Sequence, residues 1–222
     1  MSRLKSLKSK KAKVSESGSG SREGYHHGAL RDALIRAADE ILTEKGIEGF
    51  SLREAARRAQ VSPAAPAHHF GSAAGLLTEV AIAGFESLSR DLHDACRTEA
   101  SPAARLRAQG IAYVRFALAH PGRFQLMFRH DLVLSQNDRL ATAAKASMNE
   151  LEASIVAYLR AKKKPITSEA VRAELLGAWS AVHGFSHLAL DGKFTTMAQP
   201  RSLSDFVSDE LPAMLRALWP DR

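Results

Sequence analysis

The chain has 222 residues, with 31 Lys+Arg against 24 Asp+Glu, a formal net charge of +7. That charge sits in a tail: residues 1–22 hold seven basic groups (Arg3, Lys5, Lys8, Lys10, Lys11, Lys13 and Arg22) and one acid, Glu16, while the remainder is nearly neutral. This excludes a uniformly basic nucleic-acid coat, and 45% hydrophobic residues exclude disorder over the body of the chain.

Residues 1–22 alternate Lys with Ser and Gly and carry too few apolar groups to offset the entropy of ordering, so a flexible basic tail is expected there. From residue 27 the pattern becomes helical, with Leu30, Leu34, Ala37, Ala38, Ile41 and Leu42 on one stripe and Gly46 as a stop. Ser51-Leu52-Arg53-Glu54 reads as a capping box opening a helix to about Ala59. Ser62-Pro63 is a second start signal, for a brief helix closed by Phe70-Gly71-Ser72. Pro66 then lacks only a donor that a first turn leaves free.

A long helix is predicted over 73–99, another from Ser101-Pro102 to the break at His120-Pro121-Gly122, and a short one over 123–129. Two long helices follow, separated by Lys162-Lys163-Lys164-Pro165, the second ending at Asp191-Gly192. A last amphipathic helix covers 204–219. Strand-like alternation is absent, so an all-α fold is expected. No Gly-rich phosphate loop of the dinucleotide or Walker kind occurs, which argues against an ATPase or dehydrogenase. One cysteine, Cys96, excludes an intramolecular disulfide framework and fits a reducing compartment. With no apolar run near the ~18–20 residues of a membrane span, and no secretory signal, a soluble cytoplasmic protein without membrane contact is expected.

Only Gln60, Val61 and Ser62 separate the second and third helices, a spacing that suits a helix-turn-helix whose second helix enters a DNA major groove. The stretch from Leu34 through Gly46-Ile47-Glu48-Gly49-Phe50-Ser51-Leu52-Arg53-Glu54-Ala55-Ala56 to Ala59-Gln60-Val61-Ser62 and His69-Phe70-Gly71-Ser72 resembles the TetR family of one-component regulators. Farther on, His120-Pro121-Gly122-Arg123-Phe124 and Trp179-Ser180-Ala181-Val182-His183-Gly184 are similar to the branch of that family with a Trp-…-His-Gly motif. The resemblance implies a helix-turn-helix domain over 23–75 and an effector-binding and dimerisation domain over 76–222. It implies a homodimeric repressor, not an enzyme, released from a near-palindromic double-stranded operator by a small, mostly apolar effector, with no cofactor or metal.

On that reading Ser51, Arg53, Ser62, Ala64, Ala65, His68 and His69 face DNA, with the alanines against thymine methyls and His68 donating to a base or phosphate. Tyr113, Phe116, Phe124, Met127, Phe128 and Trp179 line the effector cavity, with His183 as its polar handle. Leu175, Leu176, Leu211, Leu215 and Leu218 belong to a dimeric four-helix bundle. Two family positions depart: Ala67 stands where a tyrosine is usual and Ala73 where a lysine is, both typical phosphate contacts. Residues 23–75 hold six basic and seven acidic groups. Lys8, Lys10, Lys11 and Lys13 are therefore expected to replace the missing contacts through a neighbouring minor groove. The rival class is a helical enzyme or small-molecule carrier using the aromatic cluster with His183 and His187, four residues apart on one helix face.

Overall fold

The computed structural model describes residues 20–221, and the side chains from Gly28 onward. The four expected DNA-contacting tail lysines, Lys8, Lys10, Lys11 and Lys13, lie outside the described residues. Ten α-helices account for the fold, and there is no strand among the described residues. They are α1 (Gly20–Lys45), α2 (Leu52–Arg58), α3 (Ala65–Phe70), α4 (Ala73–Cys96), α5 (Pro102–Ala119), α6 (Pro121–Met127), α7 (Asp138–Ala161), α8 (Ser168–Leu190), α9 (Thr195–Ala198) and α10 (Leu203–Leu218). Among the described residues no helix is long and apolar enough to cross a membrane. α1 starts at Gly20, so residues 20–22, assigned above to the tail, are helical: extending a formed helix costs far less than nucleating one.

Six of these helices begin at a residue whose side-chain oxygen accepts from the amide three positions on: Ser51 for α2, Ser72 for α4, Ser101 for α5, Asn137 for α7, Thr167 for α8 and Ser202 for α10. The capping box at Ser51 is half formed. Glu54 does not return to the Ser51 amide; its carboxylate accepts from Arg57 Nε at 2.8 Å, Arg58 Nε at 3.2 Å and Lys45 Nζ at 3.2 Å. Three cations outcompete one neutral amide, and these bonds hold the Glu54 carboxyl far below the usual carboxylate range.

α3 begins at Ala65 rather than Pro63. A helix started at Pro63 would need the Pro66 amide to donate to the Ser62 carbonyl, and proline has no N–H. The Ala65 amide donates to that carbonyl instead, at 3.0 Å, and Pro66 occupies the first turn. The connection is correspondingly longer, from Ala59 to Ala64.

α2 ends in a Schellman motif, with the Val61 amide on the Ala56 carbonyl (3.0 Å), the Gln60 amide on the Arg57 carbonyl (3.2 Å), and Gln60 at φ 56°. Glycine takes this left-handed conformation without the Cβ clash. Gln60→Gly should therefore stabilise the protein by about 1 kcal/mol. Its thermal midpoint should rise by roughly 2–4 °C, and a lower midpoint would show that the Gln60 side chain matters more than its backbone strain.

α4 is the spine: it packs against α1 and α3 at its start and against α5, α6 and α7 along its length. The domain boundary expected at 75/76 thus falls inside the first turn of α4. α8 and α10 both pack on α5.

Candidate functional site

The expected DNA face is built at α2 and α3. Ser51, Arg53, Ser62, Ala64 and His68 are exposed, and Ala65 and His69 are half-buried. Ala67, in the family's tyrosine position, is exposed. The His69 ring lies edge-on to that of His68, with centroids 5.5 Å apart, and also neighbours Phe70. Most cations of this region are already engaged. Arg58 holds both Glu44 and Glu54, Arg57 and Lys45 hold Glu54, and Arg31 holds Glu79. Among the described residues no carboxylate pairs with Arg53, which leaves it available to a phosphate.

A cavity of about 320 Å³ lies between α4, α5, α7 and α8, with the end of α6 and the 128–137 segment at one side. Of the residues proposed from the sequence for an effector cavity, its wall includes Tyr113, Met127, Phe128 and Trp179. Phe116, Phe124 and His183 are not among the lining side chains. Phe116 and Phe124 are core residues, 3% and 0% exposed: an aromatic cluster at helical spacing identifies buried positions, not which of them border an opening. His183 stands behind the wall. Its Nδ1 is 2.8 Å from Tyr113 Oη, and its ring packs against Phe128, Phe124 and His187. Trp179 Nε1 donates to the same Tyr113 oxygen at 3.3 Å. Burial pushes the Tyr113 hydroxyl up, and burial followed by the His187 charge pushes His183 down, so both are neutral near pH 7. The Tyr113 hydroxyl and His183 Nδ1 thus share one neutral hydrogen bond, whose direction follows the imidazole tautomer.

The sequence reading did not find the α4 wall (Phe85, Leu88, Leu92), the α7 wall (Leu140, Ala144, Met148, Leu151) or Gln109. Gln109 had a signal: it interrupts the apolar stripe Leu106, Gly110, Tyr113 of α5 and is 2% exposed.

α6 joins the cavity to the α1–α3 unit. Met127 and Phe128 form part of the wall, while at the other end Arg123 clasps Asp39 of α1 in two parallel bonds, Nε to Oδ1 at 2.7 Å and Nη2 to Oδ2. Gly122 lies so close to α1 that a Cβ there would stand 2.2 Å from the Leu42 carbonyl oxygen. A second tie runs through the cavity's side segment: the Leu134 amide donates to Thr78 Oγ1 at 2.8 Å, which donates to the Ala74 carbonyl in the first turn of α4.

The expected bundle leucines divide. Leu211 and Leu215 are 2% and 0% exposed inside their own protomer, Leu215 meeting Gly110 of α5, so they are not interface residues. Leu175 is half-buried against the core. Leu176 and Leu218 are exposed, as are Leu188 and Met197. Gly177 and Gly184, on the Leu176–Leu188 face of α8, have open space where a Cβ would be. Cys96 is half-buried with its thiol pushed up by burial, so it stays protonated. His183 and His187 stack edge-on at 4.6 Å, and among the described residues no group of three or more His, Cys, Asp or Glu is placed to hold a metal.

Residues 34–80 match the model of bacterial regulatory proteins of the tetR family, and residues 106–211 match that of the tetracyclin repressor-like C-terminal domain. The two together span more than half of the chain. The chain belongs to the TetR family. It is 27% identical over 106 residues to the uncharacterized HTH-type transcriptional regulator YobS of Bacillus subtilis (strain 168), a match over 47% of this chain and 55% of that relative, so it spans about half of YobS. A protein of unknown function from Rhodococcus sp. RHA1 is 33% identical in its solved structure, with a TM-score of 0.69 over 88% of this chain and 98% of that one. The TetR fold is also shared with AibR, solved in complex with isovaleryl coenzyme A and operator DNA, at 16% identity and a TM-score of 0.60 over 86% of this chain and 98% of that one. In TetR terms, α1–α3 with the start of α4 correspond to the N-terminal match and α5–α10 to the C-terminal one.

Proposed function

We propose that this TetR-family chain is a ligand-responsive transcriptional repressor of the cytoplasm. Residues 23–75 bind a near-palindromic operator, and the helical remainder binds a small, mostly apolar effector and dimerises. We also assign it to the branch marked by Trp179-…-His183-Gly184. The observation that carries the reading is α6, whose Met127, with the adjoining Phe128, borders the cavity while its Gly122 and Arg123 hold α1 at Leu42 and Asp39. A molecule that repositions the α6 end of the cavity therefore moves the helix supporting α2 and α3. It shifts the balance between DNA-binding and released forms only by its differential affinity for the two.

Dimerisation supplies the second reading helix, one DNA turn away at about 34–36 Å. The exposed apolar side chains Leu176, Leu188, Met197 and Leu218 and the open Gly177 and Gly184 face suit a second copy. Arg53 and His68 are the proposed direct contacts. AibR, with both an acyl coenzyme A and operator DNA bound, supports the pairing of the two sites on one such fold. The test is retention in a gel of the DNA upstream of the protein's own gene. Wild type should retain it at low salt, and Arg53→Ala together with His68→Ala should weaken retention by at least tenfold. Failure to retain any genomic fragment at low salt overturns the reading.

A further inference from the structure

We infer that the cavity selects an uncharged, largely apolar molecule carrying one hydrogen-bond donor, and that Gln109 Oε1 receives that donor. The inference rests on the cavity being the effector site, as proposed above. Gln109 borders the cavity from α5 and is 2% exposed. Its Nε2 donates to the Glu150 carbonyl of α7 at 3.1 Å. A main-chain carbonyl only accepts, so the amide cannot be turned over without losing that bond. This fixes Oε1 as the other end of the amide, and Oε1 is buried with no donor in reach. Buried acceptors left without a donor are rare in folded proteins and unfavourable.

The remaining buried polar groups of the wall are engaged with one another. Trp179 Nε1 donates to Tyr113 Oη, the Tyr113 hydroxyl is hydrogen-bonded to His183 Nδ1, and Ser147 Oγ donates to the Ala144 carbonyl at 2.8 Å. No Lys, Arg, Asp or Glu is among the lining residues, and the one histidine, His130, belongs to the exposed segment. A carboxylate or ammonium entering this wall would lose its hydration without gaining a counter-charge. A carboxylate would in addition set its oxygens against Gln109 Oε1. An alcohol, phenol or amide N–H on an apolar frame meets both conditions, and the roughly 320 Å³ cavity lies at the small end of known ligand sites.

Three probes of matched length separate these terms: octanol, its isomer heptyl methyl ether, which has no donor, and octanoate. Binding is read from tryptophan fluorescence, since Trp179 and Trp219 both border the cavity, and from the thermal midpoint. Wild type should bind octanol about tenfold tighter than the ether, with octanoate weaker than both. Gln109→Met, close to glutamine in volume, should bring the alcohol-to-ether ratio near one. Equal affinity for alcohol and ether in wild type, a preference that survives in Gln109→Met, octanoate binding as tightly as octanol, or no binding of any probe each overturns the inference. The wild-type ratio decides by itself should Gln109→Met fail to fold. Operator retention by the same preparation separates the two readings. Alcohol preference without retention removes the regulator and leaves the cavity chemistry, and retention without alcohol preference does the reverse.

Discussion

Gly122→Ala should lower the stability of the protein by about 3 kcal/mol, although alanine is normally the better helix former. The added Cβ would stand 2.2 Å from the Leu42 carbonyl oxygen and 2.5 Å from its carbon, both main-chain atoms that no rotamer change can move. Either α6 or the end of α1 must shift, and the Arg123–Asp39 clasp beside it shifts with them. At this chain length the thermal midpoint should fall by roughly 6–12 °C. The same substitution at Gly28, on α1 with nothing within 4 Å of its would-be Cβ, should instead stabilise by about 0.5–1 kcal/mol. Because α6 also borders the cavity, Gly122→Ala protein held below its midpoint should release operator with a weakened response to any effector. A midpoint equal to wild type would mean that α1 and α6 do not approach this closely in solution, and the proposed route from cavity to reading head would fail with it.

The helix order was legible because its punctuation is local. Ser51, Ser72, Ser101 and Ser202 each bond the amide three residues on, and Pro102 and Pro121 occupy first-turn positions where a missing N–H costs nothing. What a helix faces is not local. The stripe containing Leu211 and Leu215 shows that α10 buries a side, but the same period serves a partner copy or the protomer's own α5, and here it is α5. His183 likewise shares α8 with the cavity-lining Trp179, yet its Nδ1 meets Tyr113 from another helix, a distance of 70 positions along the chain. Gln109 shows the converse. A polar residue inside an apolar stripe is readable as an anomaly, and only the Glu150 carbonyl across the interface reveals which of its two polar ends is left without a partner.

Removing residues 1–19, which leaves α1 whole, should flatten the dependence of operator affinity on salt. With Lys8, Lys10, Lys11 and Lys13 each lost as a phosphate contact, the slope of log affinity against log salt should shrink by about 3–4. The reason lies in the folded head. Arg31, Lys45, Arg57 and Arg58 are tied to Glu79, Glu54 and Glu44, and a phosphate must compete with carboxylates already 2.5–3.2 Å from three of those cations. Ala67 and Ala73 offer no polar atom where relatives place tyrosine and lysine. Arg36 and Arg53, the two exposed arginines here with no carboxylate partner among the described residues, are a weak electrostatic footing for a reading helix whose surroundings are formally −1 in charge over residues 23–75. Changing the four lysines to glutamine while keeping the tail's length should reproduce the deletion, whereas shuffling the tail sequence should leave the slope intact, since counterion release depends on charge and not on order. An unchanged slope in the glutamine variant would place the phosphate contacts on the folded head, with the carboxylate partners of Arg57 and Arg58 giving way to DNA.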